Sequence, residues 1–192
     1  MLTRQAGLPA YDTERLFPPR VWQAVELTRK HGFPLACIPE VGRLLELFSG
    51  LRGMERLCEL GTAYGVGAAW IESGMNRGAT LFTAELDIGR AGAARNLFAD
   101  NTAVEVATGD WSLALDRGPF DLLFSDGGPK RQPGDPEKLL PLLRPGGLIV
   151  LDDYTPGYGE DISRQIWLKN PAYRAVEVML TSSASAIVAT KR

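Results

Sequence analysis

The chain reads as a doubly wound α/β sheet, mostly parallel, that closes with an antiparallel hairpin. From residue 54 onward, short apolar runs alternate with segments of helical period, and glycines mark the turns between them. The last strand-like runs, 175–180 and 184–190, are separated only by Thr181, Ser182 and Ser183, too few residues for a helical crossover. Alternation of strand and helix implies parallel pairing through right-handed crossovers. At 192 residues the chain can bury one full core, and no linker or repeat divides it. One domain is expected, with residues 1–50 as a helical cap and residues 51–192 as the core.

Pro19 opens a helix that runs to His31, with Gly32 as its stop. Pro39 opens a second helix, in which Val41, Leu44, Leu45 and Phe48 recur at helical spacing until Gly50. These helices are expected to cover a sheet edge or the mouth of a ligand site. His31, the single histidine, stands at a helix C-terminus and reads as a helix-end cation. A strand follows at 54–60 with Leu57, Cys58 and Leu60 apolar, then a helix at 66–75 with Ala68, Ala69 and Ile71 facing inward. Further strands are predicted at 80–85, 104–108, 120–125 and 148–151, with helices from Ile88, at 112–115 and at 136–143. Trp22, Trp70 and Trp167 read as packing residues.

The net charge of −2 argues against a broad nucleic-acid footprint, which needs a Lys/Arg surplus on one face. No membrane span or secretory signal is visible. Cys37 and Cys58 read as buried thiols in a reduced, cytoplasmic protein rather than as a disulfide. A small-molecule partner is the expectation that remains.

The segment Glu59-Leu60-Gly61-Thr62-Ala63-Tyr64-Gly65-Val66-Gly67 puts an acid at a strand end and glycines in the turn behind it. Such a turn lets a ligand's polar groups approach backbone N–H groups at a helix N-terminus. Dinucleotide-binding dehydrogenases use G-x-G-x-x-G; here the glycines fall as G-x-x-x-G-x-G. The segment resembles the E-x-G-x-G-x-G signature of class I S-adenosylmethionine-dependent methyltransferases, with Ala63 at the middle glycine position, where alanine is tolerable at negative φ. The resemblance implies a Rossmann-like, seven-stranded sheet and assigns Glu59, Gly61, Thr62, Ala63, Tyr64, Gly65 and Gly67 to the cofactor. Glu85 ends the second strand at about the 20-residue distance expected for a ribose-binding carboxylate. Asp87, just beyond, is the weaker candidate and also suits a helix cap. In Gly109-Asp110-Trp111, the resemblance implies that Asp110 meets the adenine amine; a helix N-cap is the competing reading of Asp110, and Trp111 reads as a packing residue or as a cover for the adenine face.

Acids also end the next two strands, at Asp126 and at Asp152-Asp153. Adjacent strands lie about 4.8 Å apart, so these carboxylates can share one ion. Clustered carboxylates repel unless protonated or bound to a cation, and an all-oxygen set suits Mg²⁺, Ca²⁺ or Mn²⁺. The pattern resembles the cation-dependent catechol-type O-methyltransferases, which carry an Asp after the fourth strand and an Asp-Asn pair after the fifth. Asp126, Asp152 and Asp153 match these positions, with Asp153 where Asn is usual. The family's general-base lysine lies three residues after the first Asp; that position here is Pro129, and Lys130 follows it. Lys130, with its pKa lowered by the cation, and Asp126 are the catalytic candidates, and Asp126 is also counted among the cofactor-binding residues. Asp152 and Asp153 also precede Tyr154-Thr155-Pro156-Gly157, where acids satisfy turn N–H groups. Tyr154 and Tyr158 line an acceptor pocket or lie exposed in that loop. Asn170-Pro171-Ala172-Tyr173 reads as a turn before the hairpin.

The expected activity is O-methylation of a small, aromatic or catechol-like acceptor using S-adenosylmethionine, with assistance from a divalent cation. Metal-independent methyl transfer, nicotinamide-dependent oxidoreduction and cofactor binding without catalysis are the other readings. The apolar N-terminal helices and the family resemblance leave room for a homodimer.

Overall fold

A computed structural model describes residues 7–12, 17–157 and 161–192; Tyr158 lies outside them. The helices are α1 (Pro19–Lys30), α2 (Pro39–Ser49), α3 (Val66–Gly74), α4 (Ile88–Leu97), α5 (Asp135–Leu139) and α6 (Ile162–Leu168). The strands are β1 (Arg56–Leu60), β2 (Thr80–Glu85), β3 (Val104–Thr108), β4 (Phe120–Ser125), β5 (Leu143–Tyr154), β6 (Tyr173–Met179) and β7 (Ser185–Lys191). They form one seven-stranded sheet in the order β3-β2-β1-β4-β5-β7-β6. The first five strands pair in parallel, while β7 runs antiparallel to both β5 and β6. The predicted fold class and terminal hairpin are therefore what the chain adopts. Helix α6 has no counterpart in the sequence reading, and β5 extends well beyond the predicted 148–151 at both ends.

Successive strand residues face opposite sides of the sheet and enter separate cores. Leu57, Leu122, Phe124, Leu148 and Val150 meet α1, α2 and α3 on one face. Cys58, Leu123, Ile149 and Leu151 join Leu139 of α5 and Trp167 of α6 on the other. Both faces are covered, which explains why β4 is buried along its whole length. No helix among the described residues is long and apolar enough to cross a membrane.

The order places the crossover reversal between β1 and β4, where ligands gather in open α/β sheets. A buried relay ties the segment between α1 and α2 to this region. Trp70 of α3 donates its indole N–H to the Tyr11 hydroxyl (2.8 Å), which donates in turn to the Cys37 carbonyl (3.1 Å). Tyr11 and Trp70 are fully buried, so removing the hydroxyl strands two polar groups without water. Tyr11→Phe is expected to cost about 1–3 kcal/mol in urea denaturation and to loosen the 36–38 segment in hydrogen exchange.

Candidate active site

A cavity of about 630 Å³ opens along the carboxyl ends of the parallel strands. Its walls include Glu59, Gly61–Tyr64, Gly67, Glu85, Asp110, Trp111, Asp126, Asp152 and Asp153, so most of the residues singled out in the sequence converge on it. Gly65 is not itself in the wall; it is the left-handed N-cap of α3, between Tyr64 and Val66, which are.

Glu59 is 1% exposed, at the end of β1. Its Oε2 accepts the Thr83 hydroxyl at 2.7 Å, and the Thr83 and Thr62 hydroxyls are 2.5 Å apart. A Cβ on Gly67 would sit 2.2 Å from Glu59 Oε1, so only glycine lets the first turn of α3 approach this carboxyl. Burial, aided by the charges of Asp126 and Glu85 and opposed by the Thr83 hydrogen bond, raises the Glu59 pKa to about 8.

The glycine turn differs from the expectation at Ala63. Ala63 has φ +47°, not the negative value that alanine prefers. In that conformation its N–H reaches Glu85 Oε2 at 2.8 Å, which accounts for the strained geometry. Gly61 (φ +102°) touches protein as well as cavity: a Cβ there would lie 2.4 Å from the Gly127 nitrogen. Bulk at Gly61 would therefore push the loop after β4 away and disturb the fold itself.

Glu85, 6% exposed at the tip of β2, is the most heavily bonded acid of the site. Besides Ala63, its Oε1 accepts the Asp87 N–H (2.9 Å) and the Arg90 guanidinium through Nε (3.1 Å) and Nη2 (2.7 Å). Asp87 itself caps α4, accepting the Arg90 N–H at 2.7 Å. Arg90 also stacks over Phe33, 5.2 Å from the ring centroid. The sequence reading missed Arg90, although a cation in the first turn of a helix opposes the macrodipole and signals an acidic partner. Asp110 fulfils the capping reading, accepting the Ser112 N–H at 3.0 Å, and also lines the cavity beside Trp111. Tyr64 forms the rim, stacked on His31 with centroids 4.6 Å apart, while residues 33 and 35–38 cover the mouth. His31 caps α1, its Nδ1 2.9 Å from the Leu27 carbonyl oxygen. Both cysteines are buried and unpaired.

At the other end of the cavity, one carboxylate oxygen each from Asp126, Asp152 and Asp153 lies within 4.8 Å of the others. Consecutive strand residues ordinarily point to opposite faces. Here the β5–β7 register advances three residues on β5 (Leu151 to Tyr154) against two on β7 (Ile187 to Ser185), and Asp153 adopts φ +68°. This bulge turns both aspartates toward Asp126. Asp152, 7% exposed, accepts the Asp153 N–H at 2.7 Å. Burial, reinforced by the charges of Asp126 and Asp153, raises its pKa well above the carboxylate range. Burial also raises Asp126, against the opposing pull of Lys130.

Lys130 stands behind the cavity wall instead of reaching into the site. Its Nζ lies 3.0 Å from Asp153 Oδ2 and 3.5 Å from Asp126 Oδ1, it is 6% exposed, and it is not part of the cavity wall. Burial lowers its pKa, but the carboxylates of Asp126, Asp153 and Asp152 outweigh that and hold the amine above its ordinary value. Tyr154, at the end of β5, is not exposed in a loop: it is buried and lines the cavity, and its hydroxyl donates to the Lys130 carbonyl at 3.0 Å. Asn170–Tyr173 forms the expected turn, with the Tyr173 N–H reaching the Asn170 carbonyl at 3.2 Å.

A glycine turn after β1, an acid ending β2, and a cavity along this sheet order define an α/β enzyme of the class I methyltransferase type. Residues 58–154 match the family described as "Methyltransferase domain". A Mycobacterium avium protein bearing an O-methyltransferase name is 31% identical over 166 residues, covering 80% of this chain and 69% of that one. The chain belongs to this family, the class I S-adenosylmethionine-dependent O-methyltransferases. Two solved structures share its fold. The O-methyltransferase from Bacillus cereus in complex with SAH has a TM-score of 0.77 and 22% identity, covering 97% of this chain and 96% of that one. TomG from Streptomyces achromogenes, an O-methyltransferase involved in tomaymycin synthesis, solved in complex with SAM, gives 0.74 and 19%, covering 96% and 95%.

Ala63→Gly relieves the left-handed alanine and is expected to stabilise the protein by about 0.5–1 kcal/mol in thermal denaturation, after the entropy that glycine gains on unfolding. Glu59 gives a pH signature. A carboxyl with a folded pKa near 8 and an ordinary value near 4.5 contributes stability that is full below 4.5 and lost as pH rises toward 8. The melting temperature of the ligand-free protein should therefore fall across that window. Glu59→Gln, which keeps the Thr83 acceptor, should flatten the decline, and an unaltered slope would exclude Glu59 as its source.

Proposed function

We propose that this chain transfers the methyl group of S-adenosylmethionine to a hydroxyl oxygen of a small acceptor, aromatic and carrying vicinal oxygens, with a divalent cation held by Asp126, Asp152 and Asp153. The observation that carries this reading is one cavity with Glu85 and Asp110 toward one end and the three-aspartate cluster toward the other. The complexes with SAH and SAM named for the two structural neighbours support the choice of donor.

In this reading Glu85 receives the ribose hydroxyls, Asp110 the adenine amine and Trp111 a face of the base. The 61–67 turn opens backbone N–H groups at the start of α3 to the amino-acid end. Tyr64, Phe33 and the 35–38 segment exclude water from the donor. Such a site works chiefly by holding donor and acceptor in line. The all-oxygen donor set of the cluster, with its spacing, fits a hard cation. When bound, that ion would supply Lewis acidity that lowers the pKa of the acceptor hydroxyl. Asp126 is the group assigned to receive the acceptor's proton, on a carboxylate oxygen that the ion leaves free, because Asp126 lines the cavity whereas Lys130 does not.

Calorimetry and turnover separate the two ends. Glu85→Ala should weaken S-adenosylhomocysteine binding about ten- to a hundredfold, as expected for loss of charged hydrogen bonds of about 1.5–3 kcal/mol. Chelator should abolish transfer to a panel of catechols without altering that binding, and added Mg²⁺ should restore it. Full activity in chelator would remove the ion from the mechanism.

A further inference from the structure

Two of the three aspartates, Asp126 and Asp153, already pair with a cation that belongs to the chain. Lys130 approaches from the protein side, whereas Asp126, Asp152 and Asp153 line the cavity. The lysine is also fixed at its backbone. Its carbonyl accepts both the Tyr154 hydroxyl (3.0 Å) and the Trp167 indole N–H (2.9 Å). The next two residues are fixed as well: Asp135 Oδ2 accepts the N–H groups of Arg131 (3.0 Å) and Gln132 (2.8 Å). The Arg131 guanidinium, in turn, donates to the Asp153 carbonyl at 2.7 Å. The loop therefore delivers an ammonium to the cluster from a rigid base, and the bulge in β5 brings Asp153 to meet it.

We propose that the Lys130 ammonium is the built-in counter-cation of the cluster and competes with a divalent ion for the Asp126 and Asp153 carboxylates, so that the lysine sets how tightly an ion is held. This rests on the cation reading given above. A hard ion binds carboxylate oxygens at about 2.0–2.6 Å. An ammonium 3.0 Å and 3.5 Å from oxygens of the same residues then lies within a few ångströms of that ion. Like charges at such range repel, and the ammonium, itself buried, is only partly screened by water. The ion must draw carboxylate oxygens away from Lys130 or bind against its charge. Either way the lysine weakens the site, while it keeps the ion-free protein balanced enough to fold.

The test is calorimetric titration of Mn²⁺ into the wild-type protein, Lys130→Met and Lys130→Arg, with no donor or acceptor present. Lys130→Met should bind Mn²⁺ at least tenfold more tightly than wild type, and Lys130→Arg, which keeps the charge, should stay within about threefold, roughly 0.7 kcal/mol. Should Lys130→Met fail to fold without ion, Lys130→Met with Asp153→Asn preserves the net charge, and its affinity should exceed that of Asp153→Asn alone. Unchanged or weaker binding in the methionine variants, with wild type binding, would overturn the competition and leave the cation reading standing. Absence of Mn²⁺ binding in every variant would overturn both.

Discussion

Negative charge buried at the carboxyl edge of the sheet is the constraint around which the rest is arranged. Four neighbouring parallel strands, in the order β2, β1, β4, β5, bring Glu85, Glu59, Asp126 and Asp152 to one cavity. Parallel pairing leaves no choice in this, since every strand ends on the same side. Carboxylates withdrawn from water must be bonded, paired or neutralised. Each acid meets that demand differently: Glu85 with two backbone N–H groups and Arg90, Glu59 by retaining its proton, Asp126 through Lys130, and Asp152 by a raised pKa. The left-handed Ala63 and the bulge in β5 are the backbone expressions of the same demand.

Much of this was legible in the sequence because it depends on local pattern. The strand ending at Glu85, the glycines behind Glu59 and the short 181–183 connection all act through periodicity and turn chemistry. The departures arise where distant segments meet. The φ of Ala63 follows from Glu85, more than twenty residues away. The tight contact of Gly61 belongs to Gly127, and the depth of Lys130 to Tyr154 and Trp167. Nothing within a few residues of these positions encodes those partners. Helix α6 was overlooked for a local reason: it is only seven residues long, and its start signal is the single cap Asp161, which accepts the Ser163 N–H.

The helical N-terminal region also contributes more than cover. Residues 33–38 connect α1 to α2, and most of them form the cavity mouth. The Tyr11 to Trp70 relay fastens this connection to α3, whose first turn packs against Glu59. The mouth and the floor of the site are thus set by one helix. Changes in the packing of α3 reach both, which links the stability of the core to access for ligands.

The left-handed conformation of Asp153 has an evolutionary consequence. Apart from glycine, asparagine and aspartate are the side chains that best accept such a backbone. A descendant or relative can therefore exchange one for the other at this bulge by replacing a single oxygen with an amide nitrogen, without remodelling β5. That exchange shifts the charge opposite Lys130 by one unit. The position acts as a charge dial with two settings, letting the electrostatics drift independently of the fold.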